Sequence, residues 1–338
     1  INCGVTTLFD WNHNNPTSAH TDRAIDGLLE AGIRALYGHG TPRGAGAADE
    51  EPLHPEDEVK RIISERLAGS DLVSLALCIR GPDLTSYETA AHDVALARKY
   101  GLVASTHMGA RPPQGRRTPD GIFRLADAGL LGPDFNSVHS NKLSDEEIGV
   151  MAKAGVSFTI TPEVEMQMGH GIPVTGRVRK YGIEPSIGID IETGIGSEML
   201  GAARFAMQLQ RGLDNDEAFS EGRDVETVSI TSAEALGWAT IDGARALRME
   251  AEIGTLEEGK QADLIMIRAD DLNLFAASDP AQGVLYHAHS GNVDSVMIAG
   301  RWVKRAGRLV HSDTDALKQR LAESGRRILA DAGLVPAA

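Results

Sequence analysis

Asn136-Ser137-Val138-His139-Ser140-Asn141-Lys142-Leu143-Ser144-Asp145-Glu146-Glu147-Ile148 reads as the start of one complete βα unit. A short β-prone run stops at a histidine and a polar turn follows. Ser144, with Glu147 three residues on, then spells the capping box that opens a helix, which runs to Ala154. The same grammar recurs on both sides. Upstream, strands are predicted over Val5–Asp10, Ile33–Tyr37, Leu72–Ile79 and Leu102–Thr106, the last ending at His107. Helices are predicted between them over Ala24–Ala31, Glu56 to Leu67 and Tyr87–Tyr100, with Gly121–Gly129 following His107. Downstream, strands are predicted over Val156–Ile160 and Ser186–Ile189, the latter ending at Asp190, with helices over Val174–Tyr181 and Met199 to Gln210. A Gly/Ala/Pro-rich loop is expected from Gly38 to Pro52.

Apolar strands alternating with helices in this way define an α/β protein, either a doubly wound sheet or a barrel. Seven strands are legible in the sequence, and a (β/α)₈ barrel takes eight. The chain begins Ile1-Asn2-Cys3-Gly4, without Met, and enters strand-like sequence at once. The expectation is therefore a TIM barrel lacking its first strand, over residues 1–250 and truncated at its N-terminus. The tail changes character after a helix predicted over Ser232–Leu247. Short strands at Leu264–Ile267, Val293–Ile298, Arg301–Val303 and Leu309-Val310, with Gly turns at Gly300 and Gly307, suggest a small appended β-sandwich portion over 251–312. A terminal helix is expected within 313–338.

Composition narrows the function classes. With 33 Lys and Arg against 48 Asp and Glu, the formal charge is −15, which disfavours nucleic acid as a partner. No apolar run is long enough to cross a bilayer, so no membrane partner is expected. Two cysteines, Cys3 and Cys78, are too few for a disulfide framework and fit a reducing, cytoplasmic location. No Gly-x-x-x-x-Gly-Lys-Ser/Thr motif supports a nucleotide-binding doubly wound fold.

Three predicted strands end in His107, His139 and Asp190. In a parallel barrel the C-terminal strand ends share one face, so these side chains would converge on one mouth. Neutral imidazole and carboxylate suit Zn²⁺ or Fe²⁺ with an open position for an activated water. Trp11 and His13, just after the first predicted strand, would lie on the same face as candidate substrate contacts. His20, His54, His92 and His311 fall on helices or loops away from strand ends and are expected to be solvated.

These residues carry a resemblance to the amidohydrolase superfamily, in the branch of cytosine deaminase and the triazine hydrolases. Gly4-Val5-Thr6-Thr7-Leu8-Phe9-Asp10 resembles that family's second strand, Ser105-Thr106-His107 its fifth and the His139 block its sixth. Ser186-Ile187-Gly188-Ile189-Asp190 resembles its eighth, and Gly254 to Leu264, reading Gly-x-Leu-x-x-Gly-Lys-x-Ala-Asp-Leu, is the most specific match. The resemblance implies one divalent metal, Zn or Fe, held by His107 and Asp190. Asp190 would also handle the proton of the attacking water, and His139 would polarise the group under attack. The loop after the seventh strand would contact substrate, which makes Glu165 and His170 candidates. The implied activity is hydrolysis of a C–N bond in a small cyclic or amide-type substrate, a deamination among the options, by a homo-oligomeric enzyme.

Two departures qualify what the resemblance implies. The family's first-strand His-x-His pair is absent before Val5, so those ligands are expected outside the given chain. Ala110 stands where deaminases of the branch carry a Glu, leaving Glu163, Glu165 or Glu192 to move the proton. The alternative is a metal-free, catalytically inactive member that binds a small molecule. His287-Ala288-His289 has the spelling of the missing pair but lies beyond the barrel, where surface histidines are expected.

Overall fold

The computed structural model describes residues 1–41, 51–110, 112–310 and 313–334. Parts of the predicted Gly38–Pro52 loop, His311 and the last residues of the terminal segment lie outside them. Seven parallel strands form one sheet in sequential order: β1 (Thr7–Asn12), β2 (Arg34–Gly40), β3 (Val73–Cys78), β4 (Ala104–Met108), β5 (Phe135–His139), β6 (Ser157–Ile160) and β7 (Ser186–Ile187). Every neighbouring pair is parallel, with helices in the connections, so the sheet curls as seven-eighths of the expected barrel. Each strand lies within two residues of its predicted start, because apolar runs bounded by Gly and polar turns carry a strong signal.

The two faces of the sheet separate cleanly. Ala35, Tyr37, Leu75, Leu77, Ile79 and Ala104 pack outward into the large core shared with the helices. Leu36, Ala76 and Val103, of opposite parity, form a small inner cluster with Phe9, Leu247 and Met249. This alternation gives each strand residue a default side, inward or outward.

Two of the predicted helices depart most from expectation. The helix predicted to end near Gln210 runs over Met199–Ser220, beyond a polar stretch that reads like a terminus. The helix predicted over Ser232–Leu247 is two, Ser232–Trp238 and Ile241–Ala246, broken at Thr240 (φ −132°, ψ −96°). The Thr240 hydroxyl donates back to the Leu236 carbonyl at 2.8 Å, a local bond that competes with helix continuation.

The tail forms one antiparallel sheet in the order β11-β10-β9-β8, from β8 (Leu264–Ile267), β9 (Val293–Ile298), β10 (Arg301–Arg305) and β11 (Arg308–Leu309). Consecutive left-handed residues Ala299-Gly300 and Ala306-Gly307 make the tight hairpin turns. Asp263, from the Gly-Lys-x-Ala-Asp-Leu block, ties this sheet to the barrel. Its carboxylate takes Arg34 Nε at 2.5 Å and Nη2 at 3.1 Å, and the Ala299 amide at 2.7 Å. Both charged side chains are 3% exposed, so the pair is a desolvated clamp at the foot of β2 and not a surface ion pair. The terminal helix spans Thr314–Asp331. Among the described residues no helix is long and apolar enough to cross a membrane.

Candidate active site

A belt of hydrogen bonds floors the C-terminal mouth of the barrel. The Trp11 indole donates to Ser105 Oγ (3.1 Å), which donates to Asn136 Oδ1 (3.0 Å). The Asn136 amide donates to Ser157 Oγ and Thr159 Oγ1, and Thr159 bonds Ser186 Oγ at 2.7 Å. One chain of polar groups thus links β1, β4, β5, β6 and β7 on their inward face. A satisfied network of this kind holds strand ends in fixed relation where an apolar plug would let them slide.

Above the belt the sequence-predicted residues come together. His107 shares the inward parity of Val103 and Ser105. Its ring centroid is 4.1 Å from the Trp11 ring and 5.2 Å from that of His139. Burial pushes the His107 imidazole down to about 3, with His139, His13 and His170 adding to the shift, so the ring is neutral and its lone pair available near pH 7.

His139 reaches the mouth by a different route. Strand parity would send it outward, like Phe135 and Ser137, but it has φ 72° and is followed by Ser140 at φ 63°. These left-handed conformations turn the chain so that the ring faces inward. Asp190, three residues past β7, has φ 62°. Three non-glycine residues in this region at one mouth is stored backbone strain of the kind that accumulates at functional sites. His139 Nε2 lies 3.9 Å from Asp190 Oδ2.

Other candidates take distinct places. His170 stands edge-on to His139 with centroids 4.9 Å apart. Burial first, then His139, lowers its pKa, and its Nδ1 is buried without a partner. His13 is exposed and stacks edge-on with Trp11 at 5.5 Å. Glu165, expected at the substrate, is instead completely buried behind His139, on a helix over Pro162–Gln167 where a loop was expected. His287 and His289 are exposed, next to or within the connection between β8 and β9.

One prediction fails outright. His54 is not solvated but 1% exposed, bonded through Nε2 to His39 Nδ1 at 3.0 Å. His39 was missed because β2 was expected to stop at Tyr37, whereas it continues to Gly40. The signal available was the strand-end histidine itself. Parity, however, turns His39 outward with Tyr37, away from the mouth.

A divalent ion of the kind this fold family implies meets a partial fit. Neutral His107 and the Asp190 carboxylate are suitable N and O donors beside the orphaned Nδ1 of His170. Among the described residues no three His, Cys, Asp or Glu side chains are grouped to hold a metal ion, so these donors by themselves do not close a site.

A curled parallel sheet with His, His and Asp at its C-terminal strand ends is the framework of a barrel hydrolase. The Amidohydrolase family model matches residues 1–303, and the chain belongs to that family. A 5-methylthioadenosine/S-adenosylhomocysteine deaminase of Moorella thermoacetica is 26% identical over 94% of this chain and 71% of its own length. A 5'-deoxyadenosine deaminase of Methanopyrus kandleri is 26% identical over 91% of this chain and 70% of its own. A second 5-methylthioadenosine/S-adenosylhomocysteine deaminase, from Acetivibrio thermocellus, reaches 30% identity over 60% of this chain, which is 44% of that protein. Among solved structures, a zinc-bound adenosine deaminase of Xanthomonas campestris superposes with TM-score 0.79 at 23% identity, covering 97% of this chain and 72% of that one. A zinc complex of atrazine chlorohydrolase from Arthrobacter aurescens gives 0.78 at 23%, covering 95% and 73%. At these identities the structural likenesses establish the fold.

Proposed function

We propose that the protein is a metal-dependent amidohydrolase that deaminates a small nitrogen heterocycle, with an adenosine-type nucleoside as the substrate class. The observation that carries the reading is the convergence of neutral His107, His139 and Asp190 at one strained, polar-floored mouth. The relatives named as adenosine-type deaminases point to the substrate class.

His107 and Asp190 would hold one divalent ion, Zn or Fe. Such an ion supplies Lewis acidity and brings a water's pKa toward neutrality. Asp190, 3.9 Å from His139 Nε2, would accept a proton from the attacking water, and His139 would stabilise charge developing on the ring under attack. Trp11, His13 and His170 rim the same space and would orient the substrate. Ala110 leaves proton transfer to the leaving amine to another group. Glu163, whose carboxyl pKa burial pushes up with Glu198 adding to the shift, is the candidate for that proton transfer. A homo-oligomer in the cytoplasm, binding neither nucleic acid nor membrane, completes the reading.

A second reading is favoured by the partial donor set and Ala110: the same mouth, metal-free, as a small-molecule binding site. Elemental analysis separates the two, performed on this chain and on a version extended toward the N-terminus. The hydrolase reading expects about one equivalent of Zn or Fe in the longer protein. It also expects ammonia release from 5-methylthioadenosine, S-adenosylhomocysteine or 5'-deoxyadenosine. Nucleoside binding without metal or ammonia would establish the second reading in its place.

A further inference from the structure

The buried carboxylate of Glu165 takes no direct part in the proposed reaction, yet both its oxygens are hydrogen-bonded beside His139. Its Oε1 accepts the Thr161 amide at 2.8 Å and lies 3.3 Å from His139 Nδ1 and 3.3 Å from the Thr161 hydroxyl. Its Oε2 accepts Asn141 Nδ2 at 3.1 Å. The residue is 0% exposed, beneath the one histidine that reaches the mouth through a left-handed backbone.

We propose that Glu165 is a positioning residue: it fixes a proton on Nδ1 of His139, and so assigns Nε2 as the ring nitrogen presented to Asp190 and the reacting space. The argument is one of donors and acceptors. A carboxylate only accepts, and Oε1 already takes an N–H from Thr161. For the approach of His139 Nδ1 to be attractive, the imidazole must supply the proton. The single Thr161 hydroxyl hydrogen is satisfied by Glu165, which leaves Thr161 Oγ1 a second acceptor for the same Nδ1–H at 3.1 Å. Asn141, held from behind by Glu165, also donates to the Ile172 carbonyl at 3.0 Å, so the carboxylate is anchored between the turn after β5 and the segment after the Pro162–Gln167 helix.

The consequence is a division of labour on one ring. Nδ1 is committed to the protein, and Nε2, 3.9 Å from Asp190, is left to the chemistry. A histidine able to choose between tautomers would present its active nitrogen part of the time, and a carboxylate on the far nitrogen removes that choice. Full burial also means Glu165 meets no substrate, which distinguishes it from the rim residues Trp11, His13 and His170. The effect on turnover rests on the functional reading above; the tautomer does not.

The test is ring ¹⁵N NMR on the full chain labelled at histidine, with His139 assigned by comparison with His139→Asn. The expected wild-type pattern has Nδ1 protonated. In Glu165→Gln, where a neutral amide replaces the carboxylate at equal volume, the Nδ1-protonated fraction should fall. An unprotonated Nδ1 in the wild type overturns the proposal, and so does a pattern identical in wild type and Glu165→Gln. Turnover of 5'-deoxyadenosine by the longer protein adds a second arm: Glu165→Gln should lower kcat about 10- to 100-fold with KM changed less than about threefold. A raised KM at unchanged kcat would make Glu165 a binding group and overturn the assignment. A wild type that turns over no nucleoside breaks the functional reading alone, because the NMR arm needs no substrate.

Discussion

Two groups of histidines lie within one barrel and show different designs. His39 and His54 are bonded to each other and to Thr41: His39 Nδ1 meets His54 Nε2 at 3.0 Å and Thr41 Oγ1 meets His54 Nδ1 at 3.0 Å, while His39 Nε2 is buried without a partner among the described residues. The backbone N–H of His54 donates to Asp93 at 3.0 Å. In the other group, His107, His139 and His170 meet through ring contacts and are flanked by Glu165 and Asp190. Burial drives members of both toward the neutral form, His39 to about 4 and both His54 and His107 to about 3. Burial and a shifted pKa therefore do not distinguish a site from a structural pair. What separates His39 from His107 is strand parity, His39 facing the helices with Tyr37 and His107 the interior with Val103 and Ser105, and what brings His139 to the interior is its left-handed backbone.

The largest expected effect tests that distinction directly. Replacing His107 or Asp190 by Ala in the longer protein should remove most of the bound metal and cut deamination on the order of 10³-fold. His54→Ala should leave metal content unchanged. Should elemental analysis find the metal lost equally from the His54 and His107 variants, the two groups are one site and the comparison collapses.

Next in size is the stability of the closed pair. His54→Ala leaves His39 Nδ1 buried without its partner, and a urea midpoint should report a loss of about 1–3 kcal/mol. His13→Ala, at an exposed ring, should change stability by less than about 0.5 kcal/mol. Equal effects at the two positions would mean that the His39–His54 bond contributes nothing in solution.

Much of this arrangement was legible in the sequence, for identifiable reasons. β4 and β5 announced themselves as apolar runs ending at His107 and His139, and Ser144 with Glu147 marked the next helix. Asp263 was legible as part of a motif, but its partner Arg34 is 229 positions away, and no local pattern encodes such a pair. Glu165 was seen and misplaced. Its burial follows from a helix over Pro162–Gln167, in a stretch whose Pro, Met and Gly content reads as loop. His39 was missed because two glycines flank it, and Gly38-His39-Gly40 looks like a turn until the neighbouring strands supply its ladder. Likewise, nothing local states that His139 turns inward, since a positive φ at a non-glycine residue is imposed by the surrounding structure.

Acid sensitivity sharpens the comparison further. A histidine whose folded pKa lies below its unfolded value of about 6.5 binds more protons when unfolded. Its contribution is whole above that value and is lost as pH falls toward the folded pKa. For His39, His54 and His107 the window runs from about 6.5 down to 4 or 3, with a slope of about 1.4 kcal/mol per pH unit for each group. Urea midpoints across pH 7 to 4.5 should fall, and His39→Asn/His54→Asn should flatten the profile. A double variant as acid-sensitive as the wild type would show that the pair is already protonated in the folded chain.

The smallest effect probes whether the mouth depends on the element that follows it. The Glu147 amide donates to Ser144 Oγ at 3.1 Å and the Ser144 amide to Glu147 Oε2 at 2.7 Å, closing the predicted capping box. Ser144→Ala removes one of these bonds and should cost about 1 kcal/mol. The turn between His139 and Ser144 has its own restraints, since the Ser140 amide bonds the Met108 carbonyl at 2.8 Å and the Lys142 amide bonds that of Gly109 at 2.8 Å. Glu147 is also held by Arg116 at 2.5 Å, independently of the cap. The His139 ring signal should therefore stay in place while the urea midpoint moves. A shifted ring signal at unchanged stability would mean that the cap, and not the β4–β5 connection, sets the backbone turn that brings His139 into the mouth.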